Sequence, residues 1–70
     1  MGGNLLTQRE LEVFSLLVMN KSTKEIAHEF GISDKTVRNH ISNVIQKLGV
    51  NDRTEAVLEL LRLKVVSLSE

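Results

Sequence analysis

Residues 31–49 read GISDKTVRNHISNVIQKLG, with a glycine at each end and Ser33-Asp34 just inside the first. A serine ahead of an apolar-periodic run starts a helix, because its hydroxyl accepts an amide hydrogen that the first turn leaves unpaired. Glycine at the far end takes the left-handed conformation in which helices stop. Between these marks Val37, Ile41, Val44, Ile45 and Leu48 recur at helical steps. At about 100° per residue they form one stripe, which predicts a helix over 34–48 with that stripe on the core. The side facing away carries Lys35, Arg38, Asn39, Ser42 and Gln46, and no acid follows Asp34 in the helix.

That outer face is unusual. A solvated helix surface is better served by Glu–Lys pairs three or four residues apart. Asn and Ser within a helix compete for backbone hydrogen bonds and cost stability. Either this is an exposed face with indifferent polar residues, or a partner outside the chain compensates. The major groove of duplex DNA would do so: Arg can donate twice to guanine, Asn can pair with adenine, and Ser can serve either role. An acid-free face also avoids repulsion from phosphates.

Working outward, Gly31-Ile32-Ser33 joins this helix to the one before it. A connection that short, with a glycine, is what a helix-turn-helix uses, although a plain helical hairpin has such turns too. The preceding helix, 23–30, begins at Ser22-Thr23-Lys24-Glu25, where the Ser and Glu side chains can cap each other's amides. Ile26, Ala27 and Phe30 face inward, Ala27 allowing close approach and Ile32 filling the corner. Thr7-Gln8-Arg9-Glu10 is a second such box and opens a helix over 7–20, with Leu6 able to staple onto Leu11 and with Val13, Phe14, Leu16 and Leu17 along one face. Asn20-Lys21 breaks it. Asn51 or Asp52 caps the last helix, 52–63, where Asp52-Arg53-Thr54-Glu55 again has the box pattern. The fold class is therefore all-α, four helices, with no proline and no alternating strand pattern.

The fourth helix has two apolar sides. Ala56, Leu60 and Leu63 project together with Val57 at the edge, while Leu58, Leu61 and Val65 fall elsewhere. A helix at the edge of a small domain buries one face. The second either packs under Val66 and Leu68 or meets a second copy of the chain.

Composition bounds the rest. Seventy residues make one domain, read as a flexible leader over 1–5, a folded unit over 6–66 and a tail over 67–70. Hydrophobic content of 41% excludes general disorder. No apolar run is long enough for a membrane span. There is no cysteine, no Gly-rich phosphate loop and no Ser–His–Asp arrangement, which argues against an enzyme. His28 and His40 lie on different helices and make a poor metal site, so neither metal nor cofactor is expected. Zero net charge speaks mildly against nucleic acid. Yet 35–48 holds Lys35, Arg38 and Lys47 with no acid, while the last third, from Thr54 on, carries Glu55, Glu59 and Glu70 against Arg62 and Lys64.

The stretches LTQRELEVFSLL, KSTKEIAHEFGISDKTVRNHISNVIQKLGV and DRTEAV together resemble the LuxR/FixJ-type helix-turn-helix family of bacterial transcription regulators, over nearly the whole chain, and look most like its small stand-alone members. The resemblance implies a sequence-specific DNA-binding regulator whose third helix enters the major groove. Lys35, Arg38, Asn39 and Ser42 would touch bases. Lys24, Ser33, Thr36, His40 and Lys47 would lie at phosphates, His40 being equally readable as a half-buried packing residue. Many members have Lys at the position of Arg38, so the preferred sequence need not be theirs. Glu10 and Arg53 fall where the family makes structural polar contacts. The family dimerises through its last helix, which implies a homodimer through Leu58, Leu61 and Val65, an inverted-repeat operator, contact with RNA polymerase and a cytoplasmic location. A protein-interaction module using the same apolar patch is the competing expectation.

Overall fold

Four helices are present in a computed structural model that describes residues 5–66: α1 (Gln8–Leu17), α2 (Thr23–Phe30), α3 (Asp34–Leu48) and α4 (Arg53–Arg62). The expected tail and the first four residues of the expected leader lie outside the described residues. Each helix starts as its cap residue dictates. Thr7 Oγ1 accepts from the Glu10 amide at 3.1 Å, and Glu10 Oε1 accepts from the Thr7 amide at 2.9 Å. Ser22 and Glu25 repeat the exchange at 3.1 and 2.8 Å. Asp52 caps α4, but the box there is only half made: Glu55 Oε1 accepts from the Asn51 amide at 2.9 Å rather than from that of Asp52. The other three caps have φ of −74°, −80° and −82°, whereas Asp52 has −154°, a rotation that turns its own amide away.

All four helices close the same way. The amides of Gly31 and Ile32 bond back to His28 and Ala27, and those of Gly49 and Val50 to Gln46 and Ile45. Asn20 and Lys21 bond to Leu17 and Leu16, Lys64 and Val65 to Leu61 and Leu60. In each the turning residue is left-handed, with φ of 66° at Gly31, 70° at Gly49, 67° at Asn20 and 62° at Lys64. This crossed pair of bonds satisfies carbonyls that a helix end leaves open. It also explains why regular helix stops at Leu17 when 7–20 was expected: residues 18–20 are the closing turn.

Helix α3 lies against each of the other three. Its Val37, Ile41 and Val44 are buried with Val13 and Phe14 of α1, Ile26 and Ala27 of α2, and Ala56 and Leu60 of α4. Leu6 is buried beside them, and Leu16, Leu17, Phe30, Ile45 and Leu48 are partly buried. One expected core residue is elsewhere. Leu63, grouped with Ala56 and Leu60 in the sequence reading, is 48% exposed, while Val66 is 6% exposed. Leu63 is the C-cap, and left-handed Lys64 then turns the chain so that Val66 returns to the core.

Candidate nucleic-acid interface

Lys35, Arg38, Asn39 and Ser42 sit at i, i+3, i+4 and i+7 of α3, spacings that share one face, and all four are exposed. Among the described residues no side-chain hydrogen bond reaches Lys35, Asn39 or Ser42, nor Asn43 or Gln46 beside them. Arg38 is approached by the Asp34 carboxylate at 3.7 Å with its side chain 60% exposed, a loose one-turn pair. Such pairs contribute at most about 1 kcal/mol and yield readily to a better acceptor. The structure thus brings the expected base-reading residues together on one surface, with their donors and acceptors open.

The residues expected at phosphates have more varied settings. Lys24 is exposed on the first turn of α2. At the start of α3 the Ser33 hydroxyl accepts from the Thr36 amide at 3.0 Å, and the two hydroxyls share a hydrogen bond of 2.9 Å. Whichever donates, one hydroxyl hydrogen of the pair stays available. His40 is half-buried at the margin of the outer face. Lys47, its side chain 30% exposed, is tied to the scaffold: its Nζ lies 2.6 Å from Oε1 of Glu10, which is 2% exposed. Burial alone would push the Glu10 carboxyl up. The Lys47 ammonium and the Thr7 amide both bond it, and the net result lies below the usual carboxylate range. The pair ties the end of α3 to the start of α1. Nothing in the sequence links positions 37 residues apart, and helical periodicity carries no such signal.

The charge balance now becomes intelligible. Glu10, Glu25, Asp52 and Glu55 all accept backbone amides at helix starts. The Ser22 amide is the main reason the Glu25 carboxyl lies below its usual range. Glu12 and Glu59 bond cations of their own helices, Arg9 at 3.4 Å and Arg62 at 2.6 Å. Among the described residues Lys21, Lys24, Lys35 and Arg53 take part in no ion pair. A chain of zero net charge therefore presents cations outside any ion pair, because four of its nine acids are engaged at helix starts. Arg9 differs again, its guanidinium standing 4.4 Å from the centre of the Phe30 ring and joining α1 to α2.

No group of three metal-ligating side chains occurs among the described residues, and no helix there is long and apolar enough to cross a membrane. On α4, Leu58 is 60% exposed, Val65 is exposed and Leu61 half-buried.

Residues 4–60 match the family model described as "GerE: Bacterial regulatory proteins, luxR family". The spore germination protein GerE of Bacillus subtilis is 70% identical over 59 residues, covering 84% of this chain and 80% of that protein. The transcriptional regulatory protein DegU of Brevibacillus brevis is 48% identical over 59 residues, which are 84% of this chain but 25% of DegU. In three dimensions the chain is similar to the solved structure of the transcription factor GerE, with a TM-score of 0.92 and 61% identity over 96% of this chain and 100% of that one. It also superposes on part of the response regulator ChrA, with a TM-score of 0.81 and 29% identity over 93% of this chain and 32% of ChrA.

Proposed function

The chain belongs to the luxR family of bacterial regulatory proteins and has the fold of that family's DNA-binding domain, and from that premise we propose that it reads an inverted-repeat operator as a homodimer, with α3 in the major groove. The observation that carries this reading is the outer face of α3, where Lys35, Asn39 and Ser42 have no side-chain partner among the described residues and Arg38 has only a loose one. Arg38, Asn39, Ser42 and Lys35 would meet base edges. Lys24, the hydroxyl pair Ser33–Thr36 and His40 would meet the phosphates flanking that groove, the Ser33 end adding the amides of a helix N-terminus. Lys47 acts first through Glu10, and its remaining ammonium hydrogens would be what a phosphate receives.

One such helix spans few base pairs, so selectivity calls for two. The apolar side of α4 at exposed Leu58 and Val65 and half-buried Leu61 would supply a self-complementary contact. It would set two α3 helices on half-sites about 34–36 Å apart or a multiple of that. Transcription control in the cytoplasm, through contact with RNA polymerase at promoters, follows for a regulator of this kind. The same apolar patch also favours a protein-interaction module, but that reading leaves the α3 face unexplained.

Mobility shift on duplexes selected from a random pool, at two salt concentrations, tests the proposal. Arg38→Ala should lose about 1–3 kcal/mol of binding and relax preference at one base pair. Lys24→Ala should weaken every duplex and reduce the salt slope by about 1. Binding indifferent to salt and sequence would favour the interaction module, and two variants indistinguishable from the parent would sink the assignment of these residues.

A further inference from the structure

We infer that Arg53, in the first turn of α4, is a backbone clamp: it binds a DNA phosphate beside the groove that α3 occupies, with Lys21 extending the same strip. The inference rests on the duplex-binding reading above and adds a residue which the family resemblance assigned to the scaffold.

The scaffold has little use for it. Arg53 is the first helical residue after the Asp52 cap, where the helix dipole disfavours a cation. It is exposed, and among the described residues no hydrogen bond or ion pair holds it. Its sequence neighbours that carry acids are engaged elsewhere: Asp52 Oδ1 accepts the Glu55 amide and Glu55 Oε1 the Asn51 amide, both at 2.9 Å.

Its surroundings point to an anion. Arg53 lies between two shallow depressions of the surface. One is lined with Thr23, Arg38, Ile41 and Ser42, the other with Leu17, Asn20, Lys21, Thr54 and Val57. Neither lining contains an acid. The first is lined by two arginines, of which Arg38 has the Asp34 carboxylate at 3.7 Å and Arg53 has no carboxylate among the described residues. It also sets Arg53 next to Arg38 and Ser42, both proposed to read bases, and next to Thr23, the first residue of α2. Two helix starts thus border the hollow, each tending to favour negative charge. A guanidinium grips phosphate oxygens two at a time. The ligand that brings phosphates alongside a helix seated in the major groove is the DNA backbone itself.

The test titrates salt against the 70-residue chain bound to a short random-sequence duplex and to a selected operator. Arg53→Gln should bind both roughly three- to tenfold more weakly at ~0.1 M salt, with a slope shallower by about 0.9 per bound copy. Its thermal midpoint should match the parent's, and Arg53→Lys should regain part of the loss. Parent affinity and slope in Arg53→Gln would overturn the inference, as would a lowered midpoint that accounts for the weaker binding. If Arg38→Ala is impaired while Arg53→Gln is not, the clamp alone fails. If the parent shows no salt-dependent binding to either duplex, the functional reading falls and the clamp with it.

Discussion

Helix α3 carries polar side chains at both ends, and the two groups have opposite fates. Near its C-terminus, Lys47 reaches inward to a buried carboxylate 2.6 Å away. Toward its N-terminus, Lys35, Asn39 and Ser42 find nothing among the described residues. The first arrangement stabilises the protein and leaves little for a ligand. The second holds Asn39 and Ser42, weaker helix formers than Ala, in open solvent beside Lys35. A polar group tied down within the chain is structural material; one left open on a well-ordered helix is free to meet a partner outside it.

Breaking the tied side should have the largest effect. Lys47→Met preserves the aliphatic stem but leaves the buried Glu10 carboxylate with only the Thr7 amide, and loss of one partner of a part-buried charged hydrogen bond costs about 1–3 kcal/mol. Urea unfolding measures it, and an effect below about 1 kcal/mol would put Lys47 on the open side of the comparison. The pH dependence has a definite sign. The parent's Glu10 carboxyl lies below its unfolded value of about 4.5. Its contribution is therefore present above that pH and is lost as pH falls through the lower, folded value. In Lys47→Met burial is opposed mainly by Thr7, so the carboxyl protonates more readily. The gap between parent and variant should narrow as the pH falls from the variant's higher carboxyl pKa toward the parent's lowered one.

The open side is tested by the opposite outcome. Asn39, Ser42 and Asn43 replaced together by Ala should stabilise the fold, by about 0.5 kcal/mol for each position, since Ala is the better helix former. The same variant should lose sequence preference in duplex binding. Gain of stability with loss of discrimination would sharpen the comparison. A triple variant that lost stability would show that these residues support the fold after all.

How much of this was legible beforehand follows the range of the interactions involved. The caps at Thr7, Ser22 and Ser33 are local, made between residues three apart, and the sequence states them outright. The stripe of Val37, Ile41 and Val44 is periodic and was equally open to reading, as was the cluster of Lys35, Arg38, Asn39 and Ser42. What stayed hidden was non-local or conformational. The Glu10–Lys47 pair joins two helix ends that only the packed fold brings together. Leu63 was misplaced because the end of α4 depends on Lys64 adopting a left-handed turn, which no glycine announces. Arg53 acquires its setting from α2 and α3, so its position in the chain gave no hint of an acid-free hollow.

That left-handed lysine supplies the smallest expected effect and carries the comparison to the backbone. Gly31 and Gly49 bracket α3 with φ of 66° and 70°, a conformation they adopt without strain, whereas Lys64 ends α4 at 62° with a side chain attached. A Cβ in this region costs about 1–2 kcal/mol. Lys64→Gly would relieve that strain, but the glycine loses more chain entropy on folding, roughly 0.5–1 kcal/mol. The net should be a gain of about 0.5 kcal/mol, read as a higher urea midpoint with unchanged slope. Because Lys64 borders neither hollow beside Arg53, duplex affinity should not move. A loss of stability would mean that the lysine side chain holds the end of α4 by contacts that outweigh the strain. The return of Val66 to the core would then depend on that side chain as well as on the backbone turn.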